Sequence, residues 1–286
     1  MIRAIVRRGD GSVRGRKWLD SVVVNVQRAL NSTSKEVEID GWFGPQTETI
    51  LKHFQSDNKL VPSGVTDKPT WRKLVSASGS MDCGPRPKVS QILMGFHGDI
   101  EWLHAREGHW GKPYWAGGKS GVTLDPGIDL CCAEPSLVRE QYKGIVTAEQ
   151  YEALEKAFGL NGENAQKHLL ADTVLKSIRI SYEQAEVIMP HAAREYWEGV
   201  VIRFPSLVRI DTPPSVQTTL LSLAYNLGVN NRYLEPITNL IAACNWTDLA
   251  DKIGAIQQRH NLPGIRERRR WEADLIRAEL EFLEQA

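Results

Sequence analysis

The chain has 286 residues, 42% hydrophobic and 24% charged, which fits an ordinary globular protein with room for one large domain or for a small module and a medium one. Formal net charge is zero, yet residues 1–78 hold 13 Lys and Arg against 8 Asp and Glu, while the remainder holds 22 against 27. A basic front on an acidic body points to an anionic partner. Nucleic acid is not the expected one, because no zinc-finger or RNA-binding motif occurs and the basic residues are not interleaved with aromatics. No run of about 18 apolar residues occurs, so stable membrane insertion is not expected either. The first residues, "MIRAIVRRGDGS", lack the apolar stretch of a signal peptide, and synthesis and folding in the cytosol are expected. Six cations (Arg3, Arg7, Arg8, Arg14, Arg16 and Lys17) crowd this start, as a solvated face or as a surface for an anion. Cys83, Cys131, Cys132 and Cys244 read as reduced structural thiols, with no Cys-x-x-Cys pair or His cluster to suggest a metal.

From residue 20, "DSVVVNVQRALN" carries Val23, Val26 and Leu30 at helical spacing. Asp40-Gly41 then marks a tight turn, and Pro45 sits where the first turn of a helix accepts proline. Ile50, Leu51 and Phe54 give the apolar face of that helix, and a third begins near "DKPTWRKLV". Val26-Gln27, Leu30, Asp40-Gly41, Phe43 to Thr47, Phe54-Gln55, Leu60, Gly64-Val65, Thr70-Trp71 and Leu74 together resemble the peptidoglycan-binding module of bacterial wall hydrolases. That resemblance implies a three-helix bundle over 1–76. Most of its matched residues would be structural, with Trp42 and its turn as the contact for sugar or stem peptide.

Residues 77–89 concentrate Ser, Gly and Pro without periodicity and read as a linker. The rest, 90–286, reads as mainly helical (α+β): "QILMGFHGDIEWLHARE", "TAEQYEALEKAFGLNGENAQKHLLADTVLKS", "SYEQAEVIMPHAAREYW", "PSVQTTLLSLAYNLG", "NWTDLADKIGAI" and "GIRERRRWEADLIRAELEFLEQA" are the helical stretches. The glycine-rich stretch around 117–130 is the candidate for a short hairpin.

Glu107 ends the apolar-periodic series Ile92, Leu93, Phe96, Ile100 and Leu103, and Gly108 lets that helix stop. Trp110, Tyr114 and Trp115 follow. Cleaving a glycosidic bond needs a carboxylic acid that protonates the leaving oxygen, and a second group on the other face of the sugar. Burial among apolar neighbours lets such an acid keep its proton near neutral pH. Thr123 adds a hydroxyl that can orient a water, and Asp129 lies six residues further on. In one continuous strand the two would share a face. If the chain bends at Asp125-Pro126-Gly127, their directions do not follow from spacing.

The series Glu107-Gly108, Tyr114, Ser120-Gly121-Val122-Thr123 and Ile128-Asp129-Leu130 resembles the muramidase domain of phage endolysins and of pesticin, relatives of phage-type lysozymes. The resemblance implies Glu107 as general acid, with Thr123 and Asp129 holding the attacking water, and a cleft lined by Tyr114 and Trp115. It also implies that Asn226, before Leu227-Gly228, faces that cleft, and that Arg268 and Arg269 form structural ion pairs. The order Glu, Thr, Asp is that of the pesticin-like branch, since 108–122 contain no Asp or Glu. Asp125 is the alternative to Asp129, and "LDPGIDL" departs from the commoner glycine-rich wording. The implied activity is hydrolysis of the β-1,4 bond between N-acetylmuramic acid and N-acetylglucosamine, by a monomer that needs no metal or organic cofactor. The alternatives are a lytic transglycosylase and a non-catalytic peptidoglycan-binding protein. The enzyme would wait in the host cytoplasm until released to the wall at lysis.

Overall fold

A computed structural model describes residues 1–33, 35–77 and 89–285, so most of the expected linker (78–88), with Cys83, lies outside the described residues. The chain is mainly helical, with one small antiparallel sheet, and packs as two units. One comprises Met1–Pro85, Met94–Trp102 and Tyr196–Ala286; the other comprises Arg86–Leu93 and Leu103–Glu195.

In the first unit the amino terminus is tied down. Ile2, Ala4 and Val6 are buried at alternate positions, the period of an extended chain. The Val6 N–H donates to Thr66 Oγ1 at 2.8 Å, and the Trp71 indole N–H donates to the Ala4 carbonyl at 2.9 Å. Of the six early cations, Arg16 is consumed by a bidentate pair with Asp10 (2.8 and 2.6 Å), while Arg3, Arg7, Arg8 and Arg14 stay exposed.

Helices Asp20–Asn31, Pro45–Asp57 and Lys68–Ala77 follow. They bury Val22, Val23, Val26, Leu30, Leu51, Phe54, Trp71 and Leu74 in one core, joined by Leu275 and Phe282 of the last helix, Pro263–Glu284. Each fully buried side chain of this size contributes roughly 1.5–3 kcal/mol. Two buried glutamines brace the turns. Gln27 accepts from the Asp40 and Gly41 N–H groups (3.2 and 3.0 Å) and donates to Asp40 Oδ1, the Trp42 carbonyl and Thr47 Oγ1. Gln55 accepts from Gly64 N–H (2.9 Å) and donates to Ser63 Oγ, the Val65 carbonyl and Thr70 Oγ1. The same chemistry occurs twice within this segment.

Arg268 and Arg269 form the ion pairs expected of them. Glu272, fully buried, meets Arg269 Nε at 3.1 Å and Arg268 Nε at 3.4 Å and accepts from the Ser222 hydroxyl at 2.6 Å. Burial pushes the Glu272 carboxyl above its usual range, against the pull of both arginines and Ser222.

In the second unit the sheet runs β1 (Tyr114–Trp115), β2 (Val122–Leu124) and β3 (Ile128–Asp129), neighbours in that order and antiparallel. The expected two-stranded hairpin is therefore three-stranded, since Tyr114 and Trp115 pair with the near edge of β2. Val122, Leu124 and Leu130 lie in a core with Tyr142, Tyr151, Leu154, Leu169, Leu175 and Ile188.

Two expected helices are interrupted. The stretch 91–107 holds short helices Val89–Ile92 and Ile100–Glu107, because Gly95 adopts φ +73° and Asp99 Oδ1 accepts the Trp102 N–H at 2.9 Å, restarting the chain. The stretch 147–177 holds three helices, Ala148–Glu155, Gly162–Ala171 and Thr173–Ser177. Thr147 with Gln150 makes a capping box for the first and Asp172 caps the third through Leu175 N–H.

Candidate active site

Glu107 is the last residue of helix Ile100–Glu107 and is half-buried. Gly108 follows at φ +77°, the left-handed conformation that ends a helix and that a residue with a Cβ resists. The chain beyond it is gripped at once. Asp125, 2% exposed, accepts from Trp110 N–H at 2.9 Å and from Gly111 N–H, and its Oδ2 lies 3.1 Å from His109 Nδ1. The carbonyl of Asp125 in turn accepts from the Tyr142 hydroxyl. Asp125 therefore sets the path of the three residues after Gly108. It is almost wholly buried while Asp129 is only part-buried, which favours Asp129 over it as the carboxylate open to water.

The sheet supplies the facing surface. Tyr114 pairs with Thr123, and Thr123 pairs with Asp129, so the three stand in one row across all three strands and on one face. Cross-strand partners of this kind hold their Cβ atoms about 4.5–5.5 Å apart. The chain does bend through Asp125–Gly127, with Gly127 N–H donating to the Leu124 carbonyl at 2.7 Å. Thr123 and Asp129 share a face as partners across that turn.

Asp129 is aimed by the backbone. Its Oδ1 accepts from Gly121 N–H at 2.9 Å and from Cys131 N–H at 2.8 Å. The approach at Gly121 is close: a Cβ there would lie 2.4 Å from Asp129 Oδ1 and 2.6 Å from the Cys131 nitrogen, so only glycine fits. Cys131, Cys132 and Cys244 are free thiols.

Tyr114 reports the electrostatics. Burial pushes its phenol above the ordinary tyrosine range, and the negative charges of Asp125, Glu107 and Asp129 push it further, in that order. One phenol thus lies in the joint field of all three carboxylates. The Trp110 ring, 59% exposed, stacks on Tyr114 with centroids 4.7 Å apart and planes inclined by 17°. This builds an exposed aromatic wall beside the carboxylates.

Trp115 does not join that wall, contrary to expectation. It pairs with Val122 on the core face, packs against the apolar cluster, and donates its indole N–H to the Ser120 carbonyl at 3.1 Å. Alternation along a strand turns Tyr114 and Trp115 to opposite faces, so adjacency in sequence misleads. The residues that sequence reasoning passed over are His109 and the clamp made by Asp125. The available signal was an acid in the turn of the hairpin and a histidine two residues past Glu107.

Of the remaining expected contacts, Asn226 lies in the first unit near the end of helix Pro214–Leu227, exposed, with Oδ1 accepting from Arg269 Nη2 at 3.2 Å. Trp42, 47% exposed in that same unit, sits on the turn braced by Gln27. Among the described residues no group of three or more His, Cys, Asp or Glu is disposed to hold a metal ion, and no helix is long and apolar enough to cross a membrane.

Residues 20–74 match the family model described as "Putative peptidoglycan binding domain", so the chain carries a domain of that kind over this span. Among solved structures, the chain is similar to the crystal structure of the Burkholderia AP3 phage endolysin, at 15% identity over 98% of each chain and a TM-score of 0.22. No curated protein sequence matched.

Proposed function

We propose that the chain is a modular endolysin of the muramidase type. A three-helix wall-binding module over 1–76 would be joined by the linker 77–89 to a lysozyme-like catalytic domain over 90–286. It would hydrolyse the β-1,4 bond between N-acetylmuramic acid and N-acetylglucosamine in bacterial peptidoglycan. The observation that carries this reading is the single row Tyr114, Thr123, Asp129 on one sheet face, with Glu107 acting on the same phenol. Glu107 donates a proton to the leaving glycosidic oxygen. A water held by the Thr123 hydroxyl attacks the anomeric carbon from the other face and gives its proton to the Asp129 carboxylate, with inversion. Tyr114, kept neutral, and the stacked Trp110 carry the sugar rings. Asp125 positions the turn that leaves Glu107.

The domain at 20–74 supports peptidoglycan as the partner. Trp42, held out on its braced turn, is the contact residue in this reading, and Asn226 is a further substrate contact. Tethering raises the local substrate concentration, so the module matters more on intact wall than on short glycans. The protein acts as a monomer, without metal or cofactor. It stays in the host cytoplasm until a separate permeabilising protein releases it, in a phage of Gram-negative bacteria.

Clearing of purified sacculi tests the reading. The wild-type chain should clear them, and Glu107→Gln should pellet with them without clearing. Equal clearing by both proteins would remove Glu107 from the reaction, and no clearing by the wild type would leave a wall binder.

A further inference from the structure

The loop between helices Trp246–Ala255 and Pro263–Glu284 lines a cavity of about 330 Å³ together with Tyr233, its own contributors being Gln257, Arg259, His260 and Asn261. Nothing in the proposed reaction uses it. The backbone of this loop is forced: Gln257 sits at φ +53°, a left-handed conformation that disfavours any residue with a Cβ. Its Oε1 is buried and meets no hydrogen-bond donor among the described residues. A strained residue with an unsatisfied buried oxygen is the kind of outlier that marks a loop shaped for binding.

The cavity's chemistry is mainly donating. Three of the loop's backbone acceptors are already used, since the Gln257 carbonyl takes the His260 N–H at 2.9 Å and Arg266 Nη1 reaches the His260 and Asn261 carbonyls, while the Gln257 side-chain oxygen is left for a donor on the ligand, such as an amide N–H. His260 Nδ1 accepts the Leu262 N–H at 3.1 Å, which leaves the ring proton on Nε2, a donor. The lining therefore offers a guanidinium (Arg259), an imidazole N–H (His260), an amide (Asn261) and the Tyr233 ring, with Arg232 5.7 Å from that ring's centroid as a second cation. The neighbouring acids Glu235 and Glu267 are not part of the lining.

We infer that this cavity is an accessory site for a carboxylate-bearing fragment of peptidoglycan, its acid held by Arg259 and His260 and its body against Tyr233. The inference rests on the wall-directed reading but not on Glu107. The test uses the isotope-labelled full chain titrated with muramyl dipeptide and with the same compound converted to its carboxamides, following the Asn261 and His260 resonances. Saturable shifts are expected with the acid. Binding should be about tenfold weaker or worse for the amide, and for Arg259→Ala with the acid, as for the loss of a charge-assisted hydrogen bond. Tyr233→Leu should weaken both probes alike. Equal binding of acid and amide, or an unchanged Arg259→Ala variant, would overturn the site. Glu107→Gln should bind as the wild type does. A wild-type chain that binds the acid but does not clear sacculi sinks only the catalytic reading, and one that clears sacculi without binding the acid sinks only this site.

Discussion

The turn at Asp40–Trp42 and the turn at Gly108–Gly111 are each held from inside by one buried side chain, but of different kinds. Gln27 both donates and accepts, so it satisfies N–H and C=O groups of its turn and adds no charge. Asp125 only accepts, gathering Trp110 N–H, Gly111 N–H and His109 around a buried negative charge. Asp129 does the same for Gly121 and Cys131. A neutral brace suffices where only shape is needed. Where the braces are carboxylates, the chain gains shape and also a concentrated negative field, registered by the Tyr114 phenol.

The largest effect should come from the carboxylate read as the proton donor. Glu107→Gln should cost about 10²–10⁴ in turnover of soluble glycan, the usual range for a general acid, with the melting temperature little changed. Next, Asp125→Asn turns the charged brace into a neutral one. Its single amide oxygen must serve donors that two carboxylate oxygens now share, so stability should fall by about 1.5–3 kcal/mol in denaturant unfolding, and glycan turnover with it. The reciprocal change, Gln27→Glu, removes the donors to Asp40, Trp42 and Thr47 and sets a charge against Asp40. It should cost roughly 1–3 kcal/mol and weaken pelleting with sacculi while sparing turnover of short glycans. The smallest effect is spectroscopic. Asp129→Asn removes a negative neighbour and should lower the alkaline ionisation of Tyr114, read by ultraviolet difference absorbance; an upward move would contradict the shared field.

Much of this comparison was legible in the chain. Asp40-Gly41 and the glycine run at 117–121 announce turns because glycine alone adopts their backbone cheaply, and Gly108 marks where the helix carrying Glu107 stops. Parity along the strand turns Tyr114 to the carboxylates and Trp115 to the core, a distinction that needs the register with β2. The pairing of Thr123 with Asp129 likewise depends on where the turn falls, which spacing alone leaves open. Asp125 was invisible as a clamp because its partners are backbone N–H groups, which every sequence has. The buried alternation Ile2, Ala4, Val6 was masked by the arginines between and beside those positions, whose charge drew attention to the solvent side.

In the proposed reaction Asp129 and Thr123 hand a water to the sugar that Glu107 is cleaving. Digestion of purified sacculi in heavy-oxygen water, followed by mass spectrometry of the released muropeptides, measures this directly. Reducing muramic ends carrying one heavy oxygen each are expected, lost together in Glu107→Gln and Asp129→Asn. Unlabelled products one water lighter, from a chain in which Asp129→Asn is still active, would contradict it.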